Sequence, residues 1–299
     1  MILNEDDRSF DPAELQRVLG RVDGVIAFVT ERYTAEVFAA EPRRAGIVAN
    51  FGVGVNHIDL DAARARGVMV TNTPDVLTDC TADLAMTLLL MVARRAGEAE
   101  RYLRAGRWAG WKPGDFLGAR VTGKTLGVVG MGRIGQGLAR RAHHGFGMRV
   151  LYTSPRALPA DAERSLGMAT RLDLDDLLRG SDFVSIHCPS TPVTRHLIDA
   201  GRLARMRKDA FVINTARGDV IDEAALVDAL QRGVIAGAGL DVFEREPEIT
   251  AGLLQMENVV LLPHTGSSTM DTRVAMGRRV LQNLQAFFAG REPPDRVDR

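Results

Sequence analysis

Cysteine is scarce in this sequence, with Cys80 and Cys188 the only two among 299 residues. Two thiols build neither a disulfide framework nor a zinc centre, and such sparing use fits a reducing cytoplasm. Net charge is missing as well: 38 Lys and Arg stand against 38 Asp and Glu. That balance removes the bulk electrostatic case for nucleic acid or an anionic membrane. The longest strongly apolar run, Leu84 to Ala93, is too short to span a bilayer and reads as a buried helix. The acidic start, MILNEDDRSF, has neither the basic beginning nor the apolar run of a signal peptide. These absences leave a cytoplasmic protein acting on a small molecule, with no nucleic acid, no membrane and no metal expected.

What the chain does contain is length and alternation. Its size suggests two domains with ample core. From about Thr125 short apolar runs alternate with helical patterns: TLGVVG, MRVLYT, DFVSIH, AFVINT, IAGAGLDVF and NVVLLPH read as strands. GQGLARRAHH, LDDLLRG and DEAALVDALQRG read as helices, the last with Ala225, Leu226, Ala229 and Leu230 on one face and Gly233 at its end. Apolar strands separated by helices predict an α/β fold with a doubly wound parallel sheet. A smaller α/β pattern precedes it, with strands in GVIAFVT, AGIVANFGVG and VMVTNTP and helices in ERYTAEVFAA and DLDAARARG. One long helix, Thr81 to Ala105, is expected to join the halves, and the last helix, Ser268 to Ala289, to return to the first. The expected division is 1–95 with 270–299 for a discontinuous smaller domain and 96–269 for the larger one.

Gly130, Gly132 and Gly135 follow an apolar strand and open a helix in G-x-G-x-x-G spacing. The first glycine permits the tight turn, the second lets a pyrophosphate approach the backbone, and the third lets the helix pack close to the sheet. The helix N-terminus then offers unpaired N–H groups and partial positive charge to phosphate. In such units an acid at the end of the next strand bonds the ribose 2′-hydroxyl of NAD. Here VLYTSPR supplies Thr153, Ser154 and Arg156, with Arg133 in the glycine turn nearby. Hydroxyls and a cation suit a phosphate dianion. NADP(H) is therefore the expected cofactor, with NAD(H) still possible.

Three further strand ends carry reactive side chains: Arg217 in NTARGD, Asp241 and Glu246 in LDVFEREP, and His264 in LPHTGSS. Arg217 can grip a carboxylate or carbonyl with its planar fork. His264 can give or take a proton at a carbonyl oxygen, and Glu246 within hydrogen-bond reach would favour its imidazolium form. Each alone has a bland structural explanation; together, at successive strand ends beside a dinucleotide turn, they read as a hydride-transfer site.

GMGRIGQGLARR, SDFVSIHCPSTPVTRHLI, MRKDAFVINTARGDVIDEAALVDAL, AGAGLDVFEREP and VVLLPHTGSST resemble the signatures of the D-isomer-specific 2-hydroxyacid dehydrogenases, most closely the glyoxylate/hydroxypyruvate reductase branch. The resemblance implies two Rossmann-like or flavodoxin-like domains, the larger for coenzyme and the smaller, discontinuous one for substrate. It implies catalytic Arg217, Glu246 and His264, with Arg217 binding substrate, and the amides of Val53 and Gly54 in ANFGVGVNHID receiving a substrate carboxylate. Asp241 would hold the nicotinamide carboxamide. Cys188 and Pro189 would line the nicotinamide side, and Ile134, Thr194 and Thr215 join the cofactor contacts. Trp111, in GRWAGWKP, would reach the partner's site in a homodimer. Closure of the two domains would exclude water.

The implied reaction is reduction of glyoxylate or hydroxypyruvate to the D-2-hydroxy acid. Rivals are an NADH-dependent D-2-hydroxyacid or phosphoglycerate dehydrogenase, and a nucleotide-sensing binding protein on the same fold. Two departures stand out. The family begins with a further strand and helix before the segment matching ILNEDDRSFDPAEL, and the branch's arginine often comes one residue before the position of Arg156. His187, His143, His144 and His57 read as structural.

Overall fold

The computed structural model describes residues 2–5 and 8–298. Part of the acidic start (Met1, Asp6 and Asp7) lies outside the described residues. The chain divides into two compact units, 1–77 with 268–299, and 78–267.

The first unit opens with α1 (Pro12–Arg21), a helix the sequence reading passed over. Its start signal is local: Asp11 accepts the Glu14 N–H, Glu14 reaches back to the Asp11 N–H, and Pro12 occupies the first turn. Strands β1 (Gly24–Ala27), β2 (Ile47–Asn50) and β3 (Met69–Thr71) form a parallel sheet in the order β1-β2-β3, with α2 (Ala35–Ala39) and α3 (Leu60–Ala65) as crossovers. Leu15, Leu19, Val37, Phe38, Val48, Ala63 and Val70 share one core. The last helix of the chain, Met270–Phe288, packs on β2 as expected of a return to the first unit, and the segment after it returns to β3, where Asp298 accepts the Val70 N–H at 3.0 Å.

In the second unit, α4 (Thr78–Ala93) and α5 (Ala96–Arg104) replace the single long helix expected over Thr81 to Ala105. The chain breaks at Arg95, which takes φ +52° and forks onto Glu98. A left-handed residue cannot continue an α-helix. Because α4 packs on the larger sheet, residues 78–95 belong with that unit, and the division falls at 77/78 where 95/96 was expected.

The remaining elements alternate: β4 (Thr125–Val129), α6 (Arg133–Phe146), β5 (Arg149–Thr153), α7 (Ala160–Ser165), β6 (Thr170–Arg171), α8 (Leu174–Gly180), β7 (Phe183–Ile186), α9 (Ala200–Leu203), β8 (Phe211–Asn214), α10 (Glu223–Gln231), β9 (Gly237–Leu240), α11 (Ala251–Leu254) and β10 (Val259–Leu261). All seven strands are parallel, in the order β10-β9-β8-β7-β4-β5-β6. Side chains alternate between two cores: Val128, Val150 and Tyr152 enter one, Val129, Leu151 and Val184 the other. The strand order reverses between β4 and β7, the switch point where such sheets open a crevice at their carboxyl ends. No helix among the described residues is long and apolar enough to cross a membrane.

Candidate active site

The glycine turn lies at that switch point. Gly130 takes φ +98°, and a Cβ there would stand 2.5 Å from the Cys188 backbone nitrogen, so the ends of β4 and β7 meet with no room for a side chain. A Cβ on Gly135 would strike the Gly130 carbonyl oxygen at 2.3 Å, whereas one on Gly132 would meet nothing within 4 Å. Gly132 also caps α6 without any side-chain hydrogen bond. The first and third glycines are thus demanded by packing, and the second faces open space before uncapped helical amides. The buried Thr215 hydroxyl, just past the end of β8, has no hydrogen-bond partner. Open space at a helix N-terminus and an orphaned hydroxyl two strands away, past the end of β8 at the same edge of the sheet, fit a bound dinucleotide. Arg133 and Ile134 are the first residues of α6.

Thr153 ends β5, and its carbonyl accepts the Gly130 N–H at 2.9 Å, tying the two turns together. Ser154 is half-buried and Arg156 exposed. Arg171 on β6 donates to the Ser154 carbonyl at 2.9 Å and to the Pro155 carbonyl at 3.1 Å. The sequence reading missed Arg171, because a two-residue strand carries no periodic signal.

At the end of β7, Cys188 is held as a thiol, its pKa pushed up to about 11 by burial. Thr194 donates to the Pro189 carbonyl at 2.6 Å and accepts the Thr191 N–H at 2.8 Å. It closes the loop that follows Pro189.

Beyond β8, Arg217 precedes Gly218, where a Cβ would overlap the Phe243 carbonyl carbon at 1.9 Å. Only glycine allows this crossing, which draws the arginine turn against the segment carrying Glu246. Burial lowers the Arg217 guanidinium below its usual range, opposed by the charges of Glu246 and Asp219. A partly desolvated cation of this kind gains by receiving an anion.

Glu246 accepts the Phe243 N–H at 2.9 Å through Oε1, and His264 Nδ1–H donates to its Oε2 at 2.7 Å. Burial alone would raise the Glu246 carboxyl; the hydrogen bond and charge of His264, with the Phe243 N–H and Arg217, outweigh it and hold the group below the usual glutamate range. His264 takes φ +54°, a conformation a non-glycine residue keeps only when its surroundings over-determine it. Asp241 supplies that constraint. Its carbonyl accepts the His264 N–H at 2.9 Å. Its buried carboxylate takes the Thr265 N–H at 2.7 Å, the Thr265 hydroxyl at 3.0 Å and the Gly266 N–H at 2.8 Å. Holding the histidine turn was not foreseen for Asp241. A second unforeseen anchor is buried Glu223, which accepts the Glu244 N–H at 2.6 Å and the Thr250 hydroxyl at 2.5 Å. Its place just after the helix cap Asp222 was legible, but its long-range partners were not.

Within the second unit, then, Arg217, Glu246 and His264 converge. Trp111 is 82% exposed and lies outside that packing. In the first unit, Val53 and Gly54 lie in the loop after β2, and the described residues place no acceptor on either N–H.

Residues 86–266 match the model of the D-isomer specific 2-hydroxyacid dehydrogenase family, NAD binding domain. The chain belongs to that family. It is an NAD(P)-dependent oxidoreductase. The glyoxylate reductase of Thermococcus kodakarensis is 49% identical over 298 residues, covering 98% of this chain and 88% of that protein. Among solved structures of such dehydrogenases, a glyoxylate reductase from Paecilomyes thermophila superposes with a TM-score of 0.86 at 35% identity, covering 96% of this chain and 87% of that one. An NADPH-dependent glyoxylate/hydroxypyruvate reductase from Sinorhizobium meliloti, solved with NADP and malonate, gives a TM-score of 0.85 at 39% identity with the same coverage.

Proposed function

We propose that this dehydrogenase reduces a small 2-oxo acid, glyoxylate or hydroxypyruvate, to the D-2-hydroxy acid with NADPH. The observation that carries the reading is the 2.7 Å bond between His264 Nδ1 and Glu246, beside the half-buried Arg217. With Nδ1 committed to the carboxylate, Nε2 is left to face substrate, and Glu246 stabilises the imidazolium that must give up a proton. Bound NADPH supplies a hydride to the substrate's C2. His264 Nε2–H protonates the oxygen as it becomes an alkoxide, and Arg217 holds the substrate while its carbonyl is polarised. The N–H groups of Val53 and Gly54 receive the substrate carboxylate, and Asp241 accepts from the nicotinamide carboxamide with the lone pair its turn does not use. Gly130, Gly132, Arg133, Ile134 and Gly135 cradle the pyrophosphate.

NADPH is favoured over NADH because Thr153, Ser154 and Arg156 place hydroxyls and a cation where an acid would exclude the 2′-phosphate, and the S. meliloti protein named above was solved with NADP. The curated relatives named as glyoxylate reductases support the substrate class. The working form is proposed to be a homodimer in which exposed Trp111 reaches the partner's substrate site.

Oxidation of NADPH and NADH, followed over glyoxylate, hydroxypyruvate and pyruvate with chiral analysis of the product, tests the reading. Faster turnover of the first two acids with NADPH, yielding the D-isomer from hydroxypyruvate, is expected. A preference for NADH or for pyruvate would sink the corresponding half.

A further inference from the structure

The loop after β2, residues 51–56, has an organisation that the site residues alone do not explain. Asn50 is 1% exposed, and its amide donates to the carbonyls of Gly52 and Gly54, both at 3.0 Å. Its Oδ1 pairs with Nε2 of buried His57 at 3.1 Å, which fixes which face of the amide is the donor. The Val53 carbonyl accepts from the Asn72 side chain at 2.9 Å, and the Gly52 carbonyl accepts a second bond from the Thr73 N–H at 3.0 Å. Three successive carbonyls are therefore held by donors from within the unit.

A trans peptide is planar, and its N–H points opposite to its C=O. Turning the Gly52 carbonyl toward Asn50 and Thr73 turns the Val53 N–H the other way. Turning the Val53 carbonyl toward Asn72 does the same for the Gly54 N–H. Successive amides so directed form an anion-binding concavity. We infer that Asn50, its amide oriented by His57, and Asn72 are positioning residues that aim the Val53 and Gly54 amides at a carboxylate. This rests on the assignment of those amides as the carboxylate receptor. Asn50 touches no substrate; it acts through the backbone it holds.

The experiment compares Asn50→Ala, Asn72→Ala and Val53→Pro, the last deleting one receiving N–H outright. Each is measured for KM and kcat with glyoxylate, for inhibition by oxalate, for KM with an uncharged aldehyde lacking the carboxylate, and for NADPH affinity by fluorescence titration. Asn50→Ala is expected to raise the glyoxylate KM and the oxalate inhibition constant about tenfold, the size of one weakened charge-assisted hydrogen bond. Its kcat should stay within about twofold, and the aldehyde KM and NADPH affinity should hold. Asn72→Ala, which removes a single carbonyl donor, should show the same pattern more weakly and keeps the test open if Asn50→Ala does not fold. A structural role alone would move the aldehyde KM and NADPH affinity together with the glyoxylate KM, and that result overturns the inference. If Val53→Pro weakens glyoxylate while neither asparagine variant does, the carboxylate assignment survives and the positioning role fails. If all three leave the glyoxylate KM unchanged, the carboxylate assignment itself falls.

Discussion

The second unit holds two functional edges in opposite ways. At the ends of β9 and β10, Asp241 fixes the histidine turn with buried side-chain hydrogen bonds, and Glu246 is pinned from both sides by Phe243 and His264. At the end of β5, the TSPR loop is half-buried at Thr153 and Ser154, exposed at Pro155 and Arg156, and held through its backbone carbonyls by Arg171. Proton transfer tolerates little displacement, which suits the proposed acid, His264, to an over-determined turn. Discrimination between cofactors differing by one phosphate needs only charge and hydrogen-bonding groups on a loop whose side chains can vary without disturbing the scaffold.

Breaking the rigid edge should give the largest effects. His264→Ala is expected to lower kcat by about a thousandfold, within the range for losing a positioned general acid. NADPH affinity, read by fluorescence titration, should be almost unchanged; retained turnover would reassign the acid. Asp241→Ala leaves the Thr265 and Gly266 N–H groups without their acceptor in a buried site. A stability loss of about 3 kcal/mol in urea melts is expected from groups of that kind, with kcat falling alongside it. Loss of stability with full activity would show that the turn does not set the histidine.

His187 closes β7 between the two edges, with Ser185 at 2.9 Å from its Nε2, and burial holds its pKa down to about 4 from an ordinary 6.5. Below 6.5 the unfolded chain binds a proton that the folded chain refuses. Stability should therefore fall by about 2 kcal/mol between pH 7 and pH 5, continuing down to about pH 4. The Glu246 carboxyl, also depressed on folding, acts in the same direction over a lower range: its contribution is present above the ordinary glutamate range and is lost only as pH falls below it. Urea midpoints of the enzyme and of His187→Gln across this range separate the two; equal slopes would remove His187 from the account.

The smallest effect belongs to the adaptable edge. Arg156→Ala should weaken NADPH about tenfold and leave NADH unchanged, as loss of one charge-assisted contact predicts. Ser154→Asp should reverse the preference by like-charge repulsion. If both variants keep the ratio of affinities, the phosphate is read elsewhere.

Much of this was legible before any fold was known. The larger sheet could be read because each of its six main strands is a short apolar run bounded by a turn or helix signal, and the glycine spacing requires only a strand before it and a helix after it. Arg217, Glu246 and His264 were nameable because each follows a strand whose end was readable. The break at Arg95 was not, since apolar periodicity runs through it and only the left-handed residue ends the helix. Arg171, Glu223 and the clamp made by Asp241 were invisible for a different reason: their partners stand 16, 21 and 23 residues or more away.

The sequence alone determined the kinds of element, their order and the chemical types at their ends, because hydrophobic period and turn chemistry are local. Tertiary structure alone decided which backbone groups face which side chains: how Gly218 passes beneath Phe243, and how Asn50 and Asn72 hold three successive carbonyls after β2. Those directions depend on hydrogen bonds and steric contacts between residues that become neighbours only when the chain has folded.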